Sequence, residues 1–349
     1  MSFPQIYFGT LGLAFVGDRL GWWHPSGKSC WDSFPTSLDN FQVPESSLKL
    51  VAFSLLVLVP ALALWRKLWK EVVFAPLAKI CLGSDTPHGK FLEQAWLATH
   101  YTFVTLLGYF VLHDKPWWPA HTAGVHLNAS LQERMRDQQD WWLQIWYATQ
   151  LGFYALEFAT LVVEHETRKR SDAVVYFFHH IYTVLLLAGS WLTWNHRIGT
   201  LVLFLHDVGD IFLPIGKCFT YAEQHVKQTC TRQAFVLVQA LGIFFFVLFV
   251  GTFSVPRILL FGRLVYLVAY DLDWTACCGV MEVGGTCMGE PCPAPLMNGL
   301  LETLLMLLWP MHVFWLWLIA KMAVKVVFGK YQDVRSDGEE EEGSQKKKE

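Results

Sequence analysis

Seven apolar stretches, each about long enough to cross a bilayer, dominate the chain. They lie near residues 48 to 67, 93 to 113, 142 to 163, 173 to 194, 198 to 217, 234 to 255 and 297 to 326. A helix needs roughly 20 residues to traverse about 30 Å of hydrocarbon, and in lipid the backbone must satisfy its own hydrogen bonds. The expected fold is therefore all-α, an integral membrane bundle of about seven transmembrane helices. Composition agrees, with 53 % hydrophobic and only 16 % charged residues. Tryptophans gather where apolar runs meet polar ones, at Trp65, Trp69, Trp117, Trp118, Trp141, Trp142, Trp191 and Trp194, as in an aromatic belt. The formal charge of −3 is segregated along the chain and points to no nucleic-acid partner. No repeat of about 20 to 50 residues recurs, which argues against solenoids and inverted-repeat transporters.

Orientation follows from lysine and arginine in the short loops, which favour the cytosol. Arg66, Lys67, Lys70, Lys79, Lys90, Arg168, Lys169, Arg170, Lys217, Lys227 and Arg232 fall on one side, and Lys115, Arg134, Arg136 and Arg197 on the other, eleven against four. The N-terminus is therefore expected in the lumen and the C-terminus in the cytosol. This requires the sixth stretch to be one crossing, although apolar residues continue past Pro256 and Arg257 to about Tyr270. The first twenty residues combine a short apolar stretch with Asp18 and Arg19, so they read as an interfacial segment rather than a signal peptide.

Several local features fit that topology. Asn128-Ala129-Ser130 is a glycosylation sequon in an expected lumenal loop. Cys277, Cys278, Cys287 and Cys292 crowd another lumenal loop, where oxidising conditions favour disulfides. A zinc site is the competing reading, weakened by the adjacent cysteines and the lack of a nearby histidine. Lys346-Lys347-Lys348-Glu349 resembles a dilysine retrieval signal, an address that points to the endoplasmic reticulum membrane.

The chemistry is expected where polar residues interrupt two apolar runs. His179 and His180 lie in one, and His206, Asp207 and Asp210 in the next. An aspartate at a helix centre costs roughly 2.5 to 3.5 kcal/mol on insertion scales, so it should face protein or a wet cavity. Helical spacing puts His206, Asp207 and Asp210 on one face. The turn Asn195-His196-Arg197 makes the two helices antiparallel neighbours, bringing both sets to matching depth near the midplane. For any one buried histidine the simpler reading is an interhelical hydrogen bond, but such contacts are made more cheaply from Ser or Thr. A di-metal oxidase lacks its HxxxH or HxxHH boxes and enough carboxylates, so no metal is expected. Acid–base chemistry on an acyl group fits best.

The run from Arg170 to Ala222, with its paired histidines and HDxxD, resembles the Lag1 motif of ceramide synthases. Lys90-Phe91-x-Glu93-x-x-Trp96 is similar to the start of that family's TLC domain, and Gly152-Phe153-Tyr154 to a third block. The resemblance implies four regions: a lumenal or interfacial segment 1–47, a first transmembrane helix with its cytosolic loop 48–87, a TLC domain 88–328 containing the Lag1 motif 170–222 and the cysteine-rich loop 271–296, and a charged cytosolic tail 329–349. Ser336 and the acidic residues after it resemble the family's phosphorylatable tail. A homeobox-like segment is absent between the first two helices, and the loop 271–296 is unusually long.

The activity this implies is acyl transfer from acyl-CoA, as co-substrate, to the amine of a sphingoid base among membrane lipids, with no cofactor. An amine with a pKa near 10.4 is neutral in only about one molecule in two thousand at pH 7, so a base or a dry site is required. His206, oriented by Asp207 or Asp210, is expected to attack the thioester or activate the amine, with His179 or His180 handling the second proton. Covalent acyl-imidazole and direct general-base routes both remain open. Polyanionic CoA is expected near Arg168, Lys169, Arg170, Lys217 or Lys227, although positive-inside topology alone accounts for most of these. The rival class is a non-catalytic TLC-domain protein that binds lipid or assists the translocon. Acyl length, base identity and the existence of a homodimer are left open.

Overall fold

The computed structural model describes residues 45–83, 88–118, 131–163, 172–271 and 295–327. Asn128, Arg168, Lys169, Arg170, Cys277, Cys278, Cys287, Cys292 and Ser336 lie outside them. The described elements are all helical: α1 Glu45–Leu82, α2 Gly89–Leu112, α3 Leu131–Asp137, α4 Trp141–Val163, α5 Ala173–Leu192, α6 His196–Asp210, α7 Phe212–Thr229, α8 Arg232–Ala269 and α9 Pro295–Val327. The protein is an all-α multi-pass membrane protein.

Among the described residues, six helical stretches are long and apolar enough to cross a membrane: α1, α2, α5, α6 joined to α7 (His196–Thr229), α8, and Gly299–Val324 of α9. The expected span at 142 to 163 forms α4, a helix of 23 residues, about 34 Å long at 1.5 Å per residue. It has the length but not the apolarity of the others, and its polar side chains bond to protein. Gln144 donates to the Gln138 carbonyl at 2.6 Å, Gln150 donates to Asp207, and Glu157 accepts from Arg66 at 3.3 Å. Bonds to protein groups lower the penalty for polar groups at membrane depth.

α8 runs through Pro256 without a break, so this stretch is a single helix. Proline removes one ladder hydrogen bond and clashes with the preceding turn, and the chain accommodates it in a π-helical segment, Ser254–Leu260. The wider turn carries Arg257 inward, where it is only 6 % exposed.

Two apolar clusters flank the site. One is centred on Trp96, Trp146, Tyr147, Leu151 and Phe153 of α2 and α4. The other joins Leu201 and Leu205 of α6 to Phe253 and Phe261 of α8 and Leu305, Leu308 and Trp315 of α9. α5 and α6 meet as the expected antiparallel pair. Trp194, just past the end of α5, has φ 57°, a left-handed conformation that is unusual for a bulky residue. Fixed partners hold this turn: the Asn195 amide donates to the Ser190 carbonyl at 2.7 Å, Arg134 donates to Asn195 Oδ1 at 3.0 Å, and Gln138 donates to the Trp191 carbonyl at 2.7 Å.

Candidate active site

A partly open cavity lies between α5, α6 and α9. Its α5 stripe is His179, Thr183, Leu186, Leu187 and Ser190, and its α6 stripe is Asn195, Ile198, Gly199, Val202, Leu203, His206 and Asp210. Both follow the three- and four-residue steps of one helix face. Leu301, Glu302, Leu305 and Leu308 close the α9 side. His179, His206, Asp210 and Tyr154 mark one end, Ser190 and Asn195 the other. The stretch from His179 to Ser190 is about 16 Å at 1.5 Å per residue, and the remaining lining is apolar apart from Thr183, Glu302 and the backbone at Gly199.

The five expected residues divide into two sets. His179, His206 and Asp210 line the cavity, whereas His180 and Asp207 do not. His180 turns back on its own helix, with Nδ1 3.0 Å from the Tyr176 carbonyl and its ring 4.3 Å from that of Tyr176. Asp207, fully buried, accepts from Tyr154 Oη at 3.0 Å and from Gln150. Asp210 pairs with Arg257 at 2.5 Å, and the same guanidinium nitrogen donates to the His206 carbonyl at 2.8 Å.

The expectation that an aspartate orients His206 is corrected. His206 Nδ1 lies 2.5 Å from the Val202 carbonyl, and Nε2 lies 3.0 Å from Nε2 of His312. Both ring nitrogens are thus engaged, and neither partner is a carboxylate. A shared helix face put Asp207 and Asp210 beside His206 in sequence logic, but their side chains turn toward α4 and α8. His179 differs, since its Nδ1 is buried with no hydrogen-bond partner among the described residues.

The matching family model is the TLC domain, over residues 90–321, well over half of the chain. Ceramide synthase 1 LOH3 of Arabidopsis thaliana is 31 % identical over 79 % of this chain and 87 % of its own length. Ceramide synthase LOH1 of the same plant is 32 % identical over 72 % of this chain and 74 % of its own. The chain belongs to the ceramide synthase family of TLC-domain proteins. Ceramide synthase 3 of Mus musculus, 31 % identical over 72 % of this chain, is matched over 56 % of its own length, so the chain spans just over half of that relative.

Within this ceramide synthase fold, sequence reasoning missed two groups that complete the site. His312 of α9 is fully buried against His206, and its ring faces His179 at 6.0 Å and Phe261 at 5.3 Å. In the sequence Arg257 stands out only as the neighbour of Pro256. The rule that singled out the α5 and α6 histidines, an ionisable side chain deep in an apolar run, applies equally to both. Of the residues expected at CoA, the described ones are Lys217, half-buried on α7, and Lys227, exposed with Nζ 5.8 Å from the Phe235 ring.

Proposed function

We propose that this protein is a ceramide synthase of the endoplasmic reticulum, with a lumenal N-terminus and a cytosolic C-terminus. It transfers a fatty acyl group from acyl-CoA to the amine of a sphingoid base. One observation carries the reading: in a chain of this family, an apolar cavity ends at His179, His206 and Asp210. An apolar chamber suits an alkyl chain, and the histidine end suits the reacting carbonyl. Overall, a nitrogen–carbon bond replaces the carbon–sulfur bond, and one amine proton ends on the CoA thiol. The thioester supplies the activation, so the protein must position the reactants, accept the proton and exclude water.

His179 is the ring best placed to meet substrate. It lines the cavity, while His206 is committed on both nitrogens. His206 supports the centre rather than leading the attack. CoA approaches along α7, where Lys217 is 11 residues beyond His206, about 16 Å of axial rise. Lys227, at about 31 Å by the same measure, reaches only the outer end of CoA. Arg168, Lys169 and Arg170 remain part of the proposed CoA site.

Incubating the purified protein with sphinganine and a panel of acyl-CoAs tests the function. An N-acyl product is expected, and none at any chain length refutes the enzyme reading in favour of a lipid-binding one. Intact-mass measurement after acyl-CoA alone separates the two routes. An acyl adduct lost in His179→Ala supports the covalent route, and its absence in the active enzyme leaves direct transfer.

A further inference from the structure

The contacts of His206 fix the hydrogen positions along a row of imidazoles. A carbonyl only accepts, so His206 Nδ1 must carry the hydrogen toward Val202 O. The neutral ring then has a lone pair at Nε2. Across the 3.0 Å contact the donor must be His312 Nε2, which leaves His312 Nδ1 as an acceptor. That atom is buried without a hydrogen-bond partner among the described residues, and so is Nδ1 of His179, whose ring lies 6.0 Å away in a T-shaped arrangement. A buried polar atom without a partner is costly. Two such atoms on facing rings make a complementary pair if His179 carries its hydrogen on Nδ1, and its Nε2 is then free to meet substrate.

We infer that His312 is a positioning residue of the reaction: it donates a hydrogen bond to His206, and its Nδ1 accepts one from His179 Nδ1 once the His179 ring becomes cationic. This role rests on the proposed acyl transfer and assigns a third member to its site. When Nε2 of His179 takes a proton or an acyl group, the ring becomes cationic and its Nδ1–H a stronger donor. His312 Nδ1 is where that hydrogen bond closes, as a base is held by a third group in other catalytic triads. Catalytic hydrogen bonds are commonly long in the resting state and tighten as the reaction proceeds.

The cage explains why this ring stays in place. His312 packs against Trp315 at 5.9 Å, Phe253 at 6.3 Å and Phe261 at 5.3 Å. Trp315 is itself held by donating to Asp172 at 3.0 Å. The ionisable groups facing His312 are His179 and His206, with Arg257 and its partner Asp210 beyond Phe253. His312 does not line the cavity, so it acts through His179.

The test compares His312→Leu and His312→Gln in the full-length purified protein, measuring kcat and KM for acyl-CoA and the pH dependence of kcat. Leucine keeps the bulk and deletes both hydrogen bonds, while glutamine retains an acceptor and a donor. His312→Leu is expected to lower kcat about 100-fold, the scale of acid–base assistance, with KM changed by less than about threefold. His312→Gln should recover at least about tenfold of that loss and move the acid limb of the pH profile. The inference fails if the leucine variant keeps kcat within about threefold of wild type, or if glutamine is no better than leucine. Should the leucine variant not fold, the glutamine variant decides alone: a displaced acid limb supports the role and an unmoved one overturns it. An inactive wild-type protein would instead refute the proposed function.

Discussion

Arg257→Met should destabilise the protein by about 3 to 5 kcal/mol, the usual consequence of removing one partner from a buried ion pair. Arg257 is 6 % exposed, with Asp210 at 2.5 Å, the His206 carbonyl at 2.8 Å and the Phe253 ring 5.0 Å from its guanidinium carbon. Methionine preserves most of the contact made by the arginine stem, so the loss falls on the charge and its hydrogen bonds. The lost bond to the carbonyl, worth about 1.5 to 3 kcal/mol for a charged donor, overlaps with this figure and is not added to it. Because the damage is an unpaired Asp210, Arg257→Met/Asp210→Asn should recover at least about 2 kcal/mol of it, a coupling of the size that contacting residues show. Equilibrium unfolding in mixed micelles of the wild type, both single variants and the double variant closes the cycle. Stability is the proper readout, since Asp210 lines the cavity and its replacement disturbs turnover separately. A single-variant loss below about 1 kcal/mol, or a double variant no more stable than Arg257→Met, would refute the reasoning.

Gly199→Ala tests the close α5–α6 approach. A Cβ there would lie 2.4 Å from Tyr147 Oη and 2.6 Å from Ser190 Oγ, two atoms that are hydrogen-bonded to each other. Overpacking of this kind costs about 1 to 3 kcal/mol, so a melting temperature equal to wild type would contradict the packing. Asp137, at the end of α3, supplies a pH signature. Burial alone would raise its pKa, but Arg197 at 2.6 Å and His196 at 3.8 Å hold it below its ordinary value. A depressed carboxylate contributes stability above its unfolded pKa of about 3.9 and loses it as pH falls through the folded value. The melting temperature of wild type should thus fall more steeply than that of Asp137→Asn between about pH 5 and pH 3, and parallel curves would exclude the pair as a contributor.

Helices were legible because hydropathy is a property of each segment alone. Neighbours were legible only where the chain itself supplied them: three residues between α5 and α6 suffice to bring His179 beside His206. α9 arrives after residues that carry no comparable geometric constraint, so nothing in the sequence set His312 against His206 rather than toward lipid. The aspartates show the complementary limit. Spacing told which face Asp207 and Asp210 occupy, but not that Gln150 and Tyr154 would take one and Arg257 the other. Arg257 was hidden for a different reason, because its inward path depends on a π-helical turn that a regular 3.6-residue pattern does not contain.

The contact between His206 and His312 joins residues 106 positions apart, and this sets the order in which the centre is assembled during synthesis. At about 5 to 20 residues per second, a ribosome needs roughly 5 to 20 s to go from one histidine to the other. For most of that interval the nascent chain holds the Lag1 segment but not the α9 wall of the cavity. The contact between the two imidazoles closes only when α9 enters the bundle, so an incompletely inserted chain lacks the α9 wall of the cavity.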